Sequence, residues 1–269
     1  MPLAVCATPI GNLDDVTLRV VRELGEADLV LCEDTRHTKL LLDRHGIRAK
    51  RLMSYHAHNE ARRTGEVLPR LRAGERIALA SDAGLPGIND PGARLVAAVV
   101  EEGLPVTVLP GPTAVPTALV LSGLVGERYQ FLGYLPRVEG ALAALWEELR
   151  RWRHPAVAFE SPQRLAASLA SLARVEPERR VAVCRELTKR FEEVVRGSAA
   201  ELAERFSDPP KGEITLVIGA AAADAGADEP TALEAVAELV AAGASRKAAA
   251  EIVSRLTGVA RNRLYAGSL

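Results

Sequence analysis

The feature that most constrains this chain is an apolar run that breaks into a loop no core requires. Ile77-Ala78-Leu79-Ala80 has the unbroken apolar character of a strand buried on both faces. Residues 81–89 that follow are dominated by glycine, proline, Asp and Asn, and Asp90-Pro91 then reads as an N-cap with an N1 proline opening a helix through Glu101. Backbone this irregular must find partners for its N–H and C=O groups. In open α/β sheets the C-terminal edge of the strands, where such loops lie, is also where ligands bind. A plain strand-to-helix turn is the simpler alternative, but it explains neither the length nor the residues.

The same grammar recurs along the first part of the chain. Leu3 to Thr8 is strand-like and breaks at Pro9-Ile10-Gly11-Asn12, with Asp14 or Asp15 capping a helix through about Leu24. Asp28 to Cys32 runs into Glu33-Asp34-Thr35-Arg36-His37-Thr38 and a helix to about His45. Leu52 to Tyr55 leads to His56-Ala57-His58-Asn59, where Asn59 is placed to cap a helix ending near Leu71, and Val106 to Leu109 leads to Pro110-Gly111-Pro112-Thr113-Ala114. Strands alternating with helices in this way predict a mostly parallel sheet. The first loop, T-P-I-G-N-L, lacks the G-x-G-x-x-G fingerprint, which argues against hydride transfer on a nicotinamide cofactor.

A second alternation follows, with strands expected at Tyr129 to Gly133, Ala156 to Phe159, Val181 to Cys184, Glu192 to Gly197 and Glu213 to Ile218. Helices are expected at Ala141 to Arg151 and after Ser161-Pro162. The last strands are too closely spaced for helical crossovers, so this sheet should be mixed or antiparallel. Residues 220–230 read as a linker, and helices follow at Thr231 to Ala241, Ser245 to Leu256 and Ala260 to Ala266, with a helix-turn-helix-like turn at Thr257-Gly258. The expected architecture is therefore α/β. It has an N-terminal domain over 1–113, a second domain over 114–222, and a linker with a small C-terminal helical segment over 223–269.

Charge is balanced overall, at 34 basic against 35 acidic residues, but its distribution is not. From Arg36 to Arg63 eight Lys or Arg stand against Asp43 and Glu60, and four of the five histidines fall in the same window. From Ser245 to Arg263 five cations stand against Glu251 alone. Two basic patches are the footprint of a nucleic-acid binder, although solvated helix faces produce similar counts. Cys6, Cys32 and Cys184 sit in apolar runs without short spacing, which points to reduced thiols in a cytoplasmic protein rather than disulfides or a zinc site. No metal-ligand spacing, membrane-length apolar run or signal-peptide n-region is present.

Taken together, TPIGNLDDVTLR, EDTRHT, YHAHNE, SDAGLPGINDPG, LPGPTA, FLGYLPR, FESPQRL, RELTKRFEE and KGEITLVI, in this order, resemble the class III S-adenosylmethionine methyltransferases of tetrapyrrole-methylase-like fold. Within that fold they resemble the 16S ribosomal RNA cytidine 2'-O-methyltransferase family over essentially the whole chain. The resemblance implies an S-adenosyl-L-methionine site in a cofactor cleft between the two α/β domains, contacted by Ile10 and Gly11, by Asp82 and Leu85, and by Thr113 with Ala114. Leu85 departs from the threonine common in relatives. It further implies a cytidine of 16S rRNA in the decoding centre of the small ribosomal subunit as acceptor, and a homodimer.

A ribose hydroxyl is a very weak acid, so a local proton acceptor would help its methylation. Glu33, Asp34, His56 and Glu186 are candidates, with Arg36, Arg185 and Lys189 to hold phosphate or a developing alkoxide. His37 and His58 suit RNA-facing or structural roles, and Tyr55, Phe131, Tyr134 and Phe159 are the aromatics placed to stack one extruded base. The window from Arg36 to Arg63 would then line one wall of an RNA groove. The competing readings are a same-fold enzyme acting on a tetrapyrrole or a protein side chain, and a regulator that binds nucleic acid and only senses a small molecule.

Overall fold

The computed structural model describes residues 3–221 and 229–267. Its first sheet contains β1 (Leu3–Cys6), β2 (Leu29–Cys32), β3 (Leu52–Ser54), β4 (Ile77–Ala80) and β5 (Val106–Leu109), all parallel, in the order β3-β2-β4-β1-β5. Successive residues of a strand point to opposite faces, and the core divides accordingly. Leu3, Val5, Leu29, Leu31, Ile77 and Leu79 pack with Val67 and Leu71 of α3 (Glu60–Arg72) and with Leu95 and Val99 of α4 (Ala93–Glu101). Ala4, Cys6, Val30, Ala78 and Ala80 pack instead with Val20 and Leu24 of α1 (Leu18–Glu26) and Leu41 and Leu42 of α2 (Thr35–Arg44). Leucines under one pair of helices and mostly small residues under the other set the two layer spacings.

The second sheet is mixed, as the strand spacing required. It comprises β6 (Gln130–Tyr134), β7 (Ala156–Glu160), β8 (Arg180–Arg185), β9 (Glu193–Ser198) and β10 (Ile214–Ile218), in the order β6-β7-β10-β8-β9, with only β6 and β7 parallel. One face is covered by α5 (Ala114–Ser122), whose Val115, Ala118 and Leu119 join Val157, Ala182, Cys184 and Val217. The other packs against α6 (Glu139–Leu149), α7 (Pro162–Val175) and α8 (Ala199–Arg205) around Trp146, whose Nε1–H donates to Ser171 Oγ at 3.2 Å. Beyond these lie α9 (Glu229–Ala241), α10 (Arg246–Thr257) and α11 (Arg261–Gly267), which share a small apolar core of their own.

Three caps differ from the sequence expectation. Asp14 and Asp15 do not open α1; they form a short 3₁₀ turn, Leu13–Asp15, whose N-cap Asn12 accepts from Asp14 N at 3.1 Å, and Thr17 caps α1 by accepting from Val20 N. Asn59 holds the N-cap position of α3, but its Oδ1 accepts from His56 N at 2.9 Å and its amide donates to Ser54 O, so it closes the preceding loop instead. Asp90-Pro91 does not cap α4. That helix begins at Ala93, with Gly92 as N-cap at a φ of +136° that frees Asp90 to face elsewhere. The linker expected over 220–230 falls largely on residues 222–228, outside the described residues, and its last two positions already belong to α9.

Gly92 carries this arrangement. Its φ is strained for any side chain, and a Cβ there would stand 2.8 Å from Leu79 Cδ2. Gly92→Ala should lower stability by about 1–3 kcal/mol. A urea midpoint equal to that of the parent chain would show that the loop absorbs the change.

Candidate active site

The first sheet's C-terminal edge faces the second domain across a cavity of about 390 Å³. That is enough for a drug-sized ligand. From the first domain come Ile10, the turn Asp82-Ala83-Gly84-Leu85, Asp90, and Thr113-Ala114 at the start of α5. From the second come Tyr134, Phe159, Glu160, Leu187 and the stretch from Gly212 to Thr215. Ile10, Leu85, Phe159 and Leu187 make apolar walls, while polar contacts come chiefly from backbone and carboxylates. Thr113, at the N-cap of α5, makes no side-chain cap, which leaves the opening N–H groups of that helix available to a carboxylate.

The loops that build the cavity are sewn to one another. Thr8 N–H donates to Gly84 O at 2.8 Å and Gly84 N–H to Thr8 O at 3.0 Å, and Thr8 Oγ1 donates to Ser81 O. Asp82 Oδ1 accepts from Asp34 N at 3.1 Å, which joins the loop after β4 to the loop after β2. Asp82 also lines a second, open pocket with Glu33, Asp34, Arg36, His56 and His58. A half-open cavity and a polar vestibule thus meet at one carboxylate.

The charges of this region fall into two groups. Asp34 is held well below the usual carboxylate range by Arg36, whose Nη2 lies 2.7 Å from Asp34 Oδ2 on the surface. Glu33 and Asp90 are pushed the other way. Glu33 rises because it is partly buried and faces Asp82, against the opposing pull of His56. Burial, then Glu33 and Asp82, push Asp90 up to about 6.

Five of the six expected cofactor contacts, Ile10, Asp82, Leu85, Thr113 and Ala114, line the cavity. Gly11 does not. It lies against the loop after β8, where a Cβ would meet Leu187 O and Thr188 Oγ1 at 2.7 Å, so its smallness serves contact between the domains. Glu33, Asp34, Arg36 and His56 come together in the vestibule. Glu186 and Lys189 lie apart from them, tied to each other at 3.0 Å, with Lys189 also bound to Glu213 and Glu186 Oε1 accepting from Glu213 N. Arg185 pairs with Glu193.

Of the stacking aromatics, Tyr55 is core, with its hydroxyl 3.0 Å from Thr64 Oγ1, and Phe131 packs edge-on against Phe159. Only Tyr134 and Phe159 reach the cavity. The basic window is also less free than its count suggests. Arg36, Arg44, Lys50, Arg62 and Arg63 pair with Asp34, Asp14, Asp28 and Glu66.

Sequence reasoning missed Asp90 and Glu160. Pro91 disguised the first as a cap. The second lines the cavity while its carboxylate accepts from Ser161 N and Ser168 Oγ and pairs with Arg164 at 3.3 Å. The sequence signal for it was there: an acid ending an apolar strand immediately before a Ser-Pro helix start.

With this geometry in view, the family of the chain is settled by comparison. Residues 2–203 match the model of the Tetrapyrrole (Corrin/Porphyrin) Methylases, and the chain belongs to that family. It is similar to the Ribosomal RNA small subunit methyltransferase I of Mesorhizobium japonicum, at 41% identity over 98% of this chain and 90% of the relative. The enzyme of the same name from Thermotoga maritima is 41% identical over 217 residues, 80% of this chain and 97% of the relative. In fold it resembles uroporphyrin-III C-methyltransferase of Thermus thermophilus complexed with S-adenyl homocysteine, with a TM-score of 0.55 at 19% identity over 80% of this chain and 96% of the other. It is a methyltransferase of two α/β domains. The cysteines are buried and unpaired, and among the described residues no helix is long and apolar enough to cross a membrane.

Asp90 gives a pH test. Its folded-state pKa lies above the ordinary 3.8, so its carboxyl is tolerated fully below about 4 and costs stability as pH rises through about 6. Asp90→Asn should therefore match the parent chain near pH 4 and exceed it at pH 8 by roughly 1–2 kcal/mol once solvent screening is allowed for. Urea midpoints of both chains at the two pH values decide it; an equal difference at both would remove the burial argument.

Proposed function

We propose that this chain transfers a methyl group from S-adenosyl-L-methionine to the ribose 2'-hydroxyl of a cytidine in 16S rRNA, in the decoding centre of the small ribosomal subunit. The observation that carries this reading is the meeting of the half-open cavity between the domains with a polar vestibule at Asp82. The relatives' names support small-subunit ribosomal RNA as the acceptor, and the cytidine ribose rests on the resemblance of the motifs. The cavity fits the cofactor chemically. Asp82 and Asp90 suit its cationic groups, the opening N–H groups of α5 suit its carboxylate, and Ile10, Leu85 and Leu187 suit its adenosyl part.

When bound, the cofactor supplies an already activated methyl group, so alignment and exclusion of water are what the protein must add. The walls formed by Ile10, Phe159 and Leu187 exclude water. In the vestibule, Arg36 and His56 hold the phosphate and sugar of the acceptor nucleotide. Asp90 is the proton acceptor, because a base is most effective when its pKa lies near the working pH. Glu33 keeps Asp90 basic by its charge, and Asp34, tied to Arg36, positions the vestibule. Glu186 and Lys189 hold the loop after β8 against the cavity rather than acting on the acceptor.

Three further statements belong to this reading. Domain boundaries at 113/114 and 222/223 belong to the same proposal: the first sheet and the C-terminal helices have apolar clusters of their own, one cluster of the second sheet takes in Ile10 of the first domain, and the second boundary lies outside the described residues. A homodimer is supported by the resemblance and by exposed Val108, Val120, Val125 and Phe191. A cytoplasmic location follows from a ribosomal substrate.

The test is tritiated methyl transfer to purified small ribosomal subunits, and separately to free 16S RNA, lacking the modification. Label mapping to one cytidine ribose is expected; label entering a protein or nothing would overturn the reading. In the same assay, at saturating cofactor, Asp90→Asn should lower kcat by about 10²- to 10⁴-fold, with any weakening of cofactor binding read separately by titration. Parent-like turnover in that variant would transfer the base role to Glu33.

A further inference from the structure

The C-terminal helical unit takes no part in the cleft, and its chemistry is polarised. Its core is made of small and medium apolar residues, Ala232 and Val236 of α9 against Ala249, Ala250 and Val253 of α10 and Leu264 of α11. The exposed carboxylates of α9, Glu234 and Glu238, sit one turn apart on that helix. On α10 the exposed residues Lys247, Glu251 and Arg255 recur at every fourth position, opposite the buried Ala249, Ala250 and Val253, and Arg261 opens α11 just beyond the turn. Exposed Ile252 and Leu256 lie among these cations.

The turn itself fixes where this surface stands. Gly258, at the left-handed C-cap of α10, rests against Arg153, whose Nη1 is 3.4 Å from where a Cβ would be. The exposed Arg151 and Arg153 lie in the connection between α6 and β7, so the basic surface continues onto the second domain. That connection enters β7 at Ala156, while the cavity is lined at the other end of the strand by Phe159 and Glu160. The basic surface therefore joins the domain roughly 13–17 Å, one strand length, from the site of reaction. The match to the Thermotoga relative covers 97% of that protein and 80% of this chain.

We propose that the surface formed by α10, the Gly258 turn and α11, continued by Arg151 and Arg153, binds the phosphate backbone of structured RNA away from the reacting nucleotide. The occupant is argued from charge: five cations against one acid between Ser245 and Arg263 favour a polyanion over a protein face. Spaced cations along a helical surface contact phosphates and sugars rather than reading base edges. The proposal deepens the RNA-methylation reading and rests on it for the identity of the RNA.

The experiment uses the full chain carrying Lys247→Glu, Arg255→Glu and Arg261→Glu together, beside the charge-keeping set Lys247→Arg, Arg255→Lys and Arg261→Lys. Circular dichroism and cofactor titration first establish that both fold and bind S-adenosyl-L-methionine like the parent. Equilibrium binding to small subunits and to 16S RNA over a salt series, and KM with kcat for methyl transfer, are then measured. We expect the reversed set to raise KM about tenfold or more with kcat within about twofold, and to reduce the salt slope of binding by roughly two to three. The charge-keeping set should behave like the parent. Unchanged KM and salt slope would overturn the proposal, as would an affinity loss equally large in the charge-keeping set, which would mark a protein contact. If the parent chain labels no RNA, the methylation reading fails, while the salt-dependent RNA binding of the two sets still judges the surface.

Discussion

The backbone bridge between Thr8 and Gly84 is the constraint on which the site depends. Its two hydrogen bonds, at 2.8 and 3.0 Å, are possible only because β1 and β4 are neighbours in the order β3-β2-β4-β1-β5, so that their loops leave the sheet side by side. Ser81 Oγ adds a bond to Gly84 O and Thr8 Oγ1 one to Ser81 O, which leaves little freedom in either loop. Asp82 then follows directly from the pinned turn and binds Asp34 N, drawing in the loop after β2. Three loops from three strands thus share one backbone frame. A cavity defined by backbone is pre-organised, since no side-chain rotamers must be ordered when a ligand enters.

The second domain meets that frame through one irregular loop. Glu186 and Thr188 both adopt positive φ, +51° and +64°, a cost of order 1–3 kcal/mol for each such residue. Local bonds offset it: Thr188 N donates to Glu192 Oε2 at 2.6 Å, and Lys189 bridges Glu186 and Glu213. The distortion turns Thr188 Oγ1 toward Asn12 N, 3.0 Å away, and brings Leu187 beside Ile10 and Val115 in one apolar cluster. Strain in the second domain is what closes the cleft against the first.

How much of this was legible in the sequence depends on the kind of signal. The apolar run gave β4 to the residue, because a strand buried in a parallel sheet has no polar positions to blur its ends, while β5, an edge strand with Thr107 and an exposed Val108, was legible between Pro105 and Pro110. The mixed character of the second sheet followed from connection length alone. Caps were less legible, since Asp14, Asn59 and Asp90 are good cap residues whose side chains were claimed by other partners in three dimensions. Charge was the least legible. Arg36, Arg44, Lys50, Arg62 and Arg63 looked like an open basic face, yet acids distant or near in sequence neutralise them. In the helical unit the exposed Lys247, Arg255 and Arg261 have Glu251 as the one acid on their own helices, α10 and α11.

The carboxylates of the cleft have a common logic. Asp82 and Asp90 line a cavity among whose lining residues there is no Lys or Arg, and Glu33 stands close enough to raise Asp90. Three acids this close are costly to bring together even with His56 pulling on Glu33, and Asp90 shows the cost in its raised pKa. A cationic ligand relieves that repulsion, so the cleft is complementary to a positive group before any acceptor arrives. On the proposed reaction the positive charge beside Asp90 is lost as the acceptor hydroxyl gives up its proton. Asp90 then regains its affinity for a proton at the step that releases one, and the cavity ends the reaction with no more uncompensated charge than it began with.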